Sequence, residues 1–235
     1  MYTKGDFHLH TKSSDGEYSA FEVVKMAKDN DLDIIAITDH NNTDSIDEAK
    51  KAGEILGVKV LPGIELSTRY NGKKIHILGY FFSDVYNEEE FQNSLRLIRN
   101  HDIDGLKDFL LGKVSVKKDV ERNRIDVTTG IEILRYFGAI VILAHPIKIK
   151  KYLLDEILKL NFHGIEAKYF KNTYEETEKF IKIAEENNWI YTAGSDFHTD
   201  KKVDKRHGII GEVFLTESEI EKFIAYKEIA NIGTC

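Results

Sequence analysis

The amino-acid sequence predicts an α/β fold. Three observations carry that prediction. Short apolar runs alternate with amphipathic stretches of helical length. Several of those stretches open on capping boxes, and two close on a glycine. No Pro/Gly-rich linker divides the 235 residues, whose two prolines, Pro62 and Pro146, both lie inside apolar motifs. Strands separated by helices pair in parallel.

The elements follow in order. Residues 7–9 form a short apolar strand. Ser19 and Glu22 make a capping box that opens a helix to about residue 30. Residues 33–38 read as a buried strand, 45–56 as a helix with Gly57 at its C-cap, and 58–61 as the next strand. Residues 64–70 and 73–82 flank Asn71-Gly72, a two-residue hairpin signal. Helical periodicity runs over 88–111, broken at Gly105. Residues 112–124 are polar and basic and receive no assignment. A helix over 129–137 ends at Gly138, followed by a buried strand at 139–144. A helix near 152–160 leads to a strand at 164–167. Thr173 and Glu176 cap a helix to about 188, before a strand at 189–193. A last short strand at 213–215 precedes a third capping box, Thr216 and Glu219. We read one domain over 1–235, with residues 83–128 as an insertion between its core elements and no internal repeat.

Composition excludes several classes. No run approaches the roughly 20 apolar residues of a membrane span, and the opening MYTKGDFHLH lacks the apolar stretch of a secretory signal. No low-complexity tract suggests disorder. The single Cys235 leaves no internal disulfide, which fits a reducing cytoplasm. A net charge of -7 argues against indiscriminate binding to nucleic acid or anionic membrane.

That charge counts nine histidines as neutral, and their placement is not random. His8 and His10 end the first strand at i, i+2 spacing, so they share a face. Asp15 follows in the loop. His40 ends the second strand beside Asp39. Glu65 follows the third apolar run, His76 lies in the second hairpin strand, and His145 ends the strand at 139–144. Asp196 and His198 follow the strand ending at Ala193. In parallel α/β folds, sites gather at the carboxyl ends of strands. Six histidines and three carboxylates would therefore converge. Six buried histidines packed together without metal or counter-charge would be unfavourable. Nitrogen and oxygen donors without cysteine suit Zn, Mn or Fe.

The segments FHLHTKSSDG (7–16), ITDHN (37–41), GIELS (63–67), HILG (76–79), LAHP (143–146) and GSDFH (194–198) resemble the PHP domain family, named for polymerase and histidinol phosphatase. They occur in the family's order. GIEAKY (164–169) followed by a helix and GSDFH is similar to the stand-alone phosphoesterase branch. The resemblance implies a distorted (β/α)7 barrel, here with a small insertion. It also implies two or three divalent metal ions in a trinuclear site. His8, His10, Glu65 and Asp196 would hold the first, Glu65, His76 and His145 the second, and Asp15, His40 and His198 the third. The grouping by metal rests on the resemblance; the residues alone leave it open.

Such a centre implies a metal-dependent phosphoric ester hydrolase, acting by in-line attack of a hydroxide bridging two metals. Glu65, Asp196 and His198 are the expected catalytic residues, with His198 or a metal-bound water as general acid. Asp6 and Asp39 are candidate orienters of the histidines. Arg69, Lys148 and Lys168 are candidate substrate contacts, and Tyr169 and Phe170 either stack on a base or pack. The basic group Lys113, Lys117, Lys118, Arg122 and Arg124 reads as a solvated insertion; the alternative is a rim that attracts phosphates. His101, His163 and His207 fall outside the pattern. The expected substrate is a small phosphomonoester, a nucleotide of 3',5'-bisphosphate type or short RNA. Histidinol phosphate is the alternative substrate, and a metal-stabilised interaction module the alternative of another class. A cytoplasmic enzyme with no membrane contact and no obligate protein partner is expected. Three divalent ions and one bridging hydroxide would bring the net charge to roughly -2.

Overall fold

The computed structural model describes residues 1–201 and 204–229, so Cys235 lies outside the described residues. Eight strands form one sheet in the order β7-β6-β5-β4-β3-β2-β1-β8. They are β1 (Lys4–Leu9), β2 (Ile34–Ile37), β3 (Lys59–Tyr70), β4 (Lys73–Tyr80), β5 (Ile140–Leu143), β6 (Gly164–Tyr169), β7 (Ile190–Gly194) and β8 (Leu215–Thr216). The helices are α1 (Ala20–Asp29), α2 (Ile46–Leu56), α3 (Glu89–Arg99), α4 (Ile103–Phe109), α5 (Val127–Tyr136), α6 (Lys151–Ile157), α7 (Tyr174–Glu186) and α8 (Glu217–Ile229). A bridge between Leu9 and Phe197 brings β1 against the end of β7, so the sheet curls into the expected distorted barrel.

The distortion comes from the hairpin. Asn71 and Gly72 both take positive φ, 48° and 73°, which a tight two-residue turn with the strand's own twist requires. Strand β4 therefore runs antiparallel to both β3 and β5. The other barrel pairs, β1–β2, β2–β3, β5–β6 and β6–β7, are parallel. Strands expected separately at 58–61 and 64–70 are one twelve-residue strand, β3, running through Pro62. The predicted helix over 88–111 breaks at His101 (φ 59°), not at Gly105. Asp102 restarts the helix by accepting from the Gly105 N–H, and a Cβ at Gly105 would lie 2.4 Å from that carboxylate. The glycine makes room for a cap.

Phe7, Leu78, Tyr80, Ile140, Ile142 and Ala193 fill the barrel interior. Phe223 of α8 packs on Phe7 and Tyr80, with ring centroids 5.0 and 5.4 Å apart, and plugs the end where β1 begins. Residues 83–128 build no core of their own. Phe91, Leu95, Ile103 and Leu106 join the cluster formed by Ile75 and Ile77 of β4 with α5 and α6. No helix among the described residues is long and apolar enough to cross a membrane.

Candidate metal centre

The carboxyl ends of the parallel strands carry most of the predicted polar residues, and one carboxylate sits among them. Glu65 Oε1 lies 2.6 Å from His76 Nδ1 and 2.9 Å from His145 Nε2. Its Oε2 lies 3.0 Å from His40 Nδ1, 3.2 Å from His10 Nε2 and 3.3 Å from His8 Nε2. Asp196 Oδ1 is 3.4 Å from both His8 Nε2 and His10 Nε2. At the mouth, exposed Asp15 reaches His198 Nε2 at 3.1 Å, His10 Nδ1 at 3.6 Å and His40 Nε2 at 3.7 Å.

Three groups present converging donor atoms: His8, His10, Glu65 and Asp196; His40, Glu65 and His76; and His10, Asp15, His40 and His198. The first coincides with the expected grouping. In the others His10 and His40 each face two groups, one with each ring nitrogen, and His145 approaches Glu65 alone.

These distances test whether the residues suit a metal. His8 Nε2, His10 Nε2, His40 Nδ1 and Glu65 Oε2 are buried and have no hydrogen-bond partner. Leaving such atoms unpaired is costly. Ligands about 2.1 Å from a tetrahedral ion stand roughly 3.4 Å apart, close to the spacings in the first group. The donor set fits divalent ions.

Electrostatics point the same way. Burial favours the neutral ring of His10, but Asp196 and Glu65 beside it outweigh burial and raise its pKa to about 9. His8 is likewise raised well above the usual value, against burial, by Glu166, Glu65 and Asp196. Burial lowers His76 to about 3 despite the pull of Glu65. Burial works to raise Glu65, yet the surrounding histidines hold it well below the usual carboxylate range. Two protonated rings in the metal-free site must therefore release protons when an ion enters. Metal affinity is expected to rise between pH 6 and 8, by about tenfold per pH unit for each displaced proton; chelator competition at several pH values measures it. A pH-independent affinity would contradict proton displacement.

Glu166 is the residue that sequence reasoning missed. Its Oε1 accepts from His8 Nδ1 at 2.8 Å, and its Oε2 accepts from the His145 backbone N–H at 2.6 Å. One buried carboxylate thus fixes the tautomer of one ring and the backbone that carries another. His145 (φ 29°) and Asp196 (φ 53°) both hold left-handed backbone, strain of the kind that surrounding bonds must maintain. Gly194 is small for a related reason. A Cβ there would lie 2.2 Å from Glu166 Oε1 and 2.3 Å from His8 Cβ. Gly194→Ala is expected to cost about 1–3 kcal/mol of stability and to displace His8, read by denaturant unfolding and metal content. Wild-type values for both would refute this packing.

The expected orienters act elsewhere. Asp39 accepts from Thr11 N–H, Ser14 Oγ and Ser45 Oγ and shapes the loop after β1. Asp6 accepts from the Ser195, Gly211 and His8 N–H groups and ties β1 to the loop after β7. Burial raises its pKa to about 6 against those bonds. Lys148 Nζ and Tyr169 OH both donate to Asp196 Oδ2 at 2.9 Å, leaving Oδ1 to the histidines. Tyr169 therefore serves the centre and does not stack outward; Phe170 packs on its edge. Lys168 turns away and donates to Glu219 Oε2 at 2.6 Å. Arg69 lies on the outer part of β3. His207 stacks on His198 at 3.7 Å, while His163 packs beside Arg135 and His101 marks the α3–α4 break. Of the basic group, Lys113 pairs with Glu90.

A cleft of about 780 Å³ lined by Asp15, His198, Arg206 and His207 opens beside the third group. A smaller one, about 270 Å³, is lined by Lys74, His76, His145 and Lys148.

The chain is 26% identical over 250 residues to a 5'-3' exoribonuclease of Haemophilus influenzae, covering 84% of this chain and 91% of that one. It is 25% identical over 244 residues to a phosphoribosyl 1,2-cyclic phosphate 1,2-diphosphodiesterase of Eggerthella lenta, covering 82% and 93%. A crystal structure from Bifidobacterium adolescentis, of a protein assigned as a metal-dependent phosphoesterase, superposes with a TM-score of 0.73 at 20% identity, covering 94% and 95%. A family model of the PHP domain matches residues 6–190, and with the barrel and the order of its motifs this places the chain in the PHP domain family.

Proposed function

We propose that this chain is a metal-dependent phosphoesterase that hydrolyses phosphate esters of ribose, in a nucleotide or short RNA. The observation that carries the reading is the convergence of four unpartnered buried atoms at ligand spacing around Glu65. The relatives described above are named for action on RNA or on a phosphoribosyl ester, which supports the substrate class.

His8, His10, Glu65 and Asp196 would hold one ion, Glu65 with His76 and His145 a second, and Asp15, His40 and His198 a third. Zn, Mn and Fe all suit these donors. Bound there, the ions supply an acidified water and positive charge against the phosphoryl oxygens. The neighbouring histidines hold Glu65, Asp196 and Asp15 below the usual carboxylate range, so these side chains accept and do not donate protons. Lys148 and Tyr169 fix Asp196 so that one oxygen faces the centre. His198 donates from Nδ1 to the Asp196 carbonyl at 2.8 Å, and its Nε2 lies 3.1 Å from Asp15 Oδ1. An ion held there would take the Nε2 lone pair, so His198 would serve as a ligand and not as a proton donor from that nitrogen. A cytoplasmic enzyme without an obligate protein partner completes this reading.

Metal-depleted protein reloaded separately with Zn, Mn or Fe should hydrolyse a nucleoside 3',5'-bisphosphate or a 5'-phosphorylated oligoribonucleotide. Turnover should vanish on chelation. Faster release of phosphate from histidinol phosphate, or no turnover with any of the three metals, would overturn the proposal.

A further inference from the structure

We propose that the outer end of the β3–β4 ribbon is a second anion subsite, formed by Arg69 and Lys74, that takes a phosphate one nucleotide unit away from the phosphate being hydrolysed. This rests on the phosphoesterase reading above and extends it to a part of the molecule that the metal centre does not use.

The strand register carries the argument. Side chains alternate along a strand, so Glu65, Ser67 and Arg69 share one face of β3, while Leu66 and Thr68 are buried on the other. On β4, His76 and Lys74 share a face, with Ile75 and Ile77 in the core behind them. Ser67 pairs with His76, and the next same-face pair outward is Arg69 with Lys74. Two cations therefore stand directly opposite each other on the face that begins with Glu65. Like charges in that position destabilise a ribbon. Neither side chain forms an ion pair among the described residues. Asp126, which bridges to Arg69 through the backbone, commits its carboxylate to the Thr128 N–H and hydroxyl.

Geometry suits an anion that also reaches the centre. Lys74 lines the 270 Å³ cleft together with His76, His145 and Lys148. Four residues of strand, about 13 Å, separate Glu65 from Arg69, and the long side chains cover part of that distance. The remaining interval accommodates one ribose between two phosphates. The second phosphate of a nucleoside bisphosphate and the next phosphodiester of an RNA chain present the same chemistry.

The test compares wild type with the Arg69→Ala/Lys74→Ala double variant and the charge-keeping Arg69→Lys/Lys74→Arg variant. Binding of adenosine 3',5'-bisphosphate, adenosine 3'-monophosphate and a 5'-phosphorylated trinucleotide is measured without added metal, then turnover with Mn. The ratio of two-phosphate to monophosphate affinity should fall roughly tenfold in the double variant and be largely kept in the charge-keeping one. A fall for the bisphosphate alone assigns a small nucleotide, and a fall for the trinucleotide alone assigns RNA. The double variant should melt no lower than wild type, because it removes a repulsion. An unchanged ratio, or equal losses on all three probes, would overturn the subsite. Wild type that shows the binding ratio but turns over no probe would instead sink the hydrolase reading and leave the subsite standing.

Discussion

Replacing Glu65 by alanine is expected to remove most bound metal and to lower turnover by roughly a thousandfold or more. The magnitude follows from the several kcal/mol that metal ions supply to phosphoryl transfer, at about 1.36 kcal/mol per factor of ten. The cause is geometric. Glu65 is the carboxylate that touches five imidazoles, two through Oε1 and three through Oε2. No neighbour can take over both oxygens. Its loss also leaves the protonated rings of His8 and His10, 5.1 Å apart, facing each other with less counter-charge. Glu65→Gln keeps the volume without the charge, so it should lose metal while folding better than the alanine variant. Elemental analysis, turnover and thermal melting read the three effects. Normal metal content in Glu65→Ala would refute the central place given to this side chain.

Glu166→Ala is expected to lower metal affinity or turnover by roughly 10–100-fold and to cost about 2–4 kcal/mol of stability. The change strands two buried donors, His8 Nδ1 and the His145 N–H. Glu166 acts through His8 and His145, so it is a positioning residue. Its loss should reduce metal affinity and kcat more than it raises KM for the phosphorylated substrate. Glu166→Gln offers one acceptor oxygen in place of two and should recover part of the loss. Equal effects of both substitutions on KM alone would argue for direct substrate contact instead.

The legibility of this site in the sequence follows strand geometry. His8, His10, His40, His145, Asp196 and His198 lie at or just beyond strand ends, where an α/β chain exposes its chemistry, and their spacing showed it. Which atoms face which was not legible, because His10 and His40 each use both ring nitrogens and only coordinates separate them. Glu166 escaped notice because it sits inside β6, in a segment read for its apolar residues. A charged residue in a wholly buried strand is itself a signal, since it must find a partner. Lys168 failed for a local reason. Alternation would place it on the face of Glu166, but the β6–β7 register shifts between these two residues, and the lysine turns to Glu219. The fold was legible through its caps: Ser19 with Glu22 and Thr173 with Glu176 both form reciprocal boxes. The helix break at His101 was less so, because Gly105 attracted the assignment that belongs to Asp102.

The bridge between Leu9 and Phe197 has a kinetic meaning as well. It joins segments separated by most of the chain, and Phe223 must then dock on Phe7 and Tyr80 to seal the floor. Contacts of such long sequence separation form late and slow the search for the native state. During synthesis, His8 and His10 emerge well before Asp196. The candidate metal centre therefore cannot be assembled until the chain has closed on itself, because its first group of donors draws on both sides of that bridge.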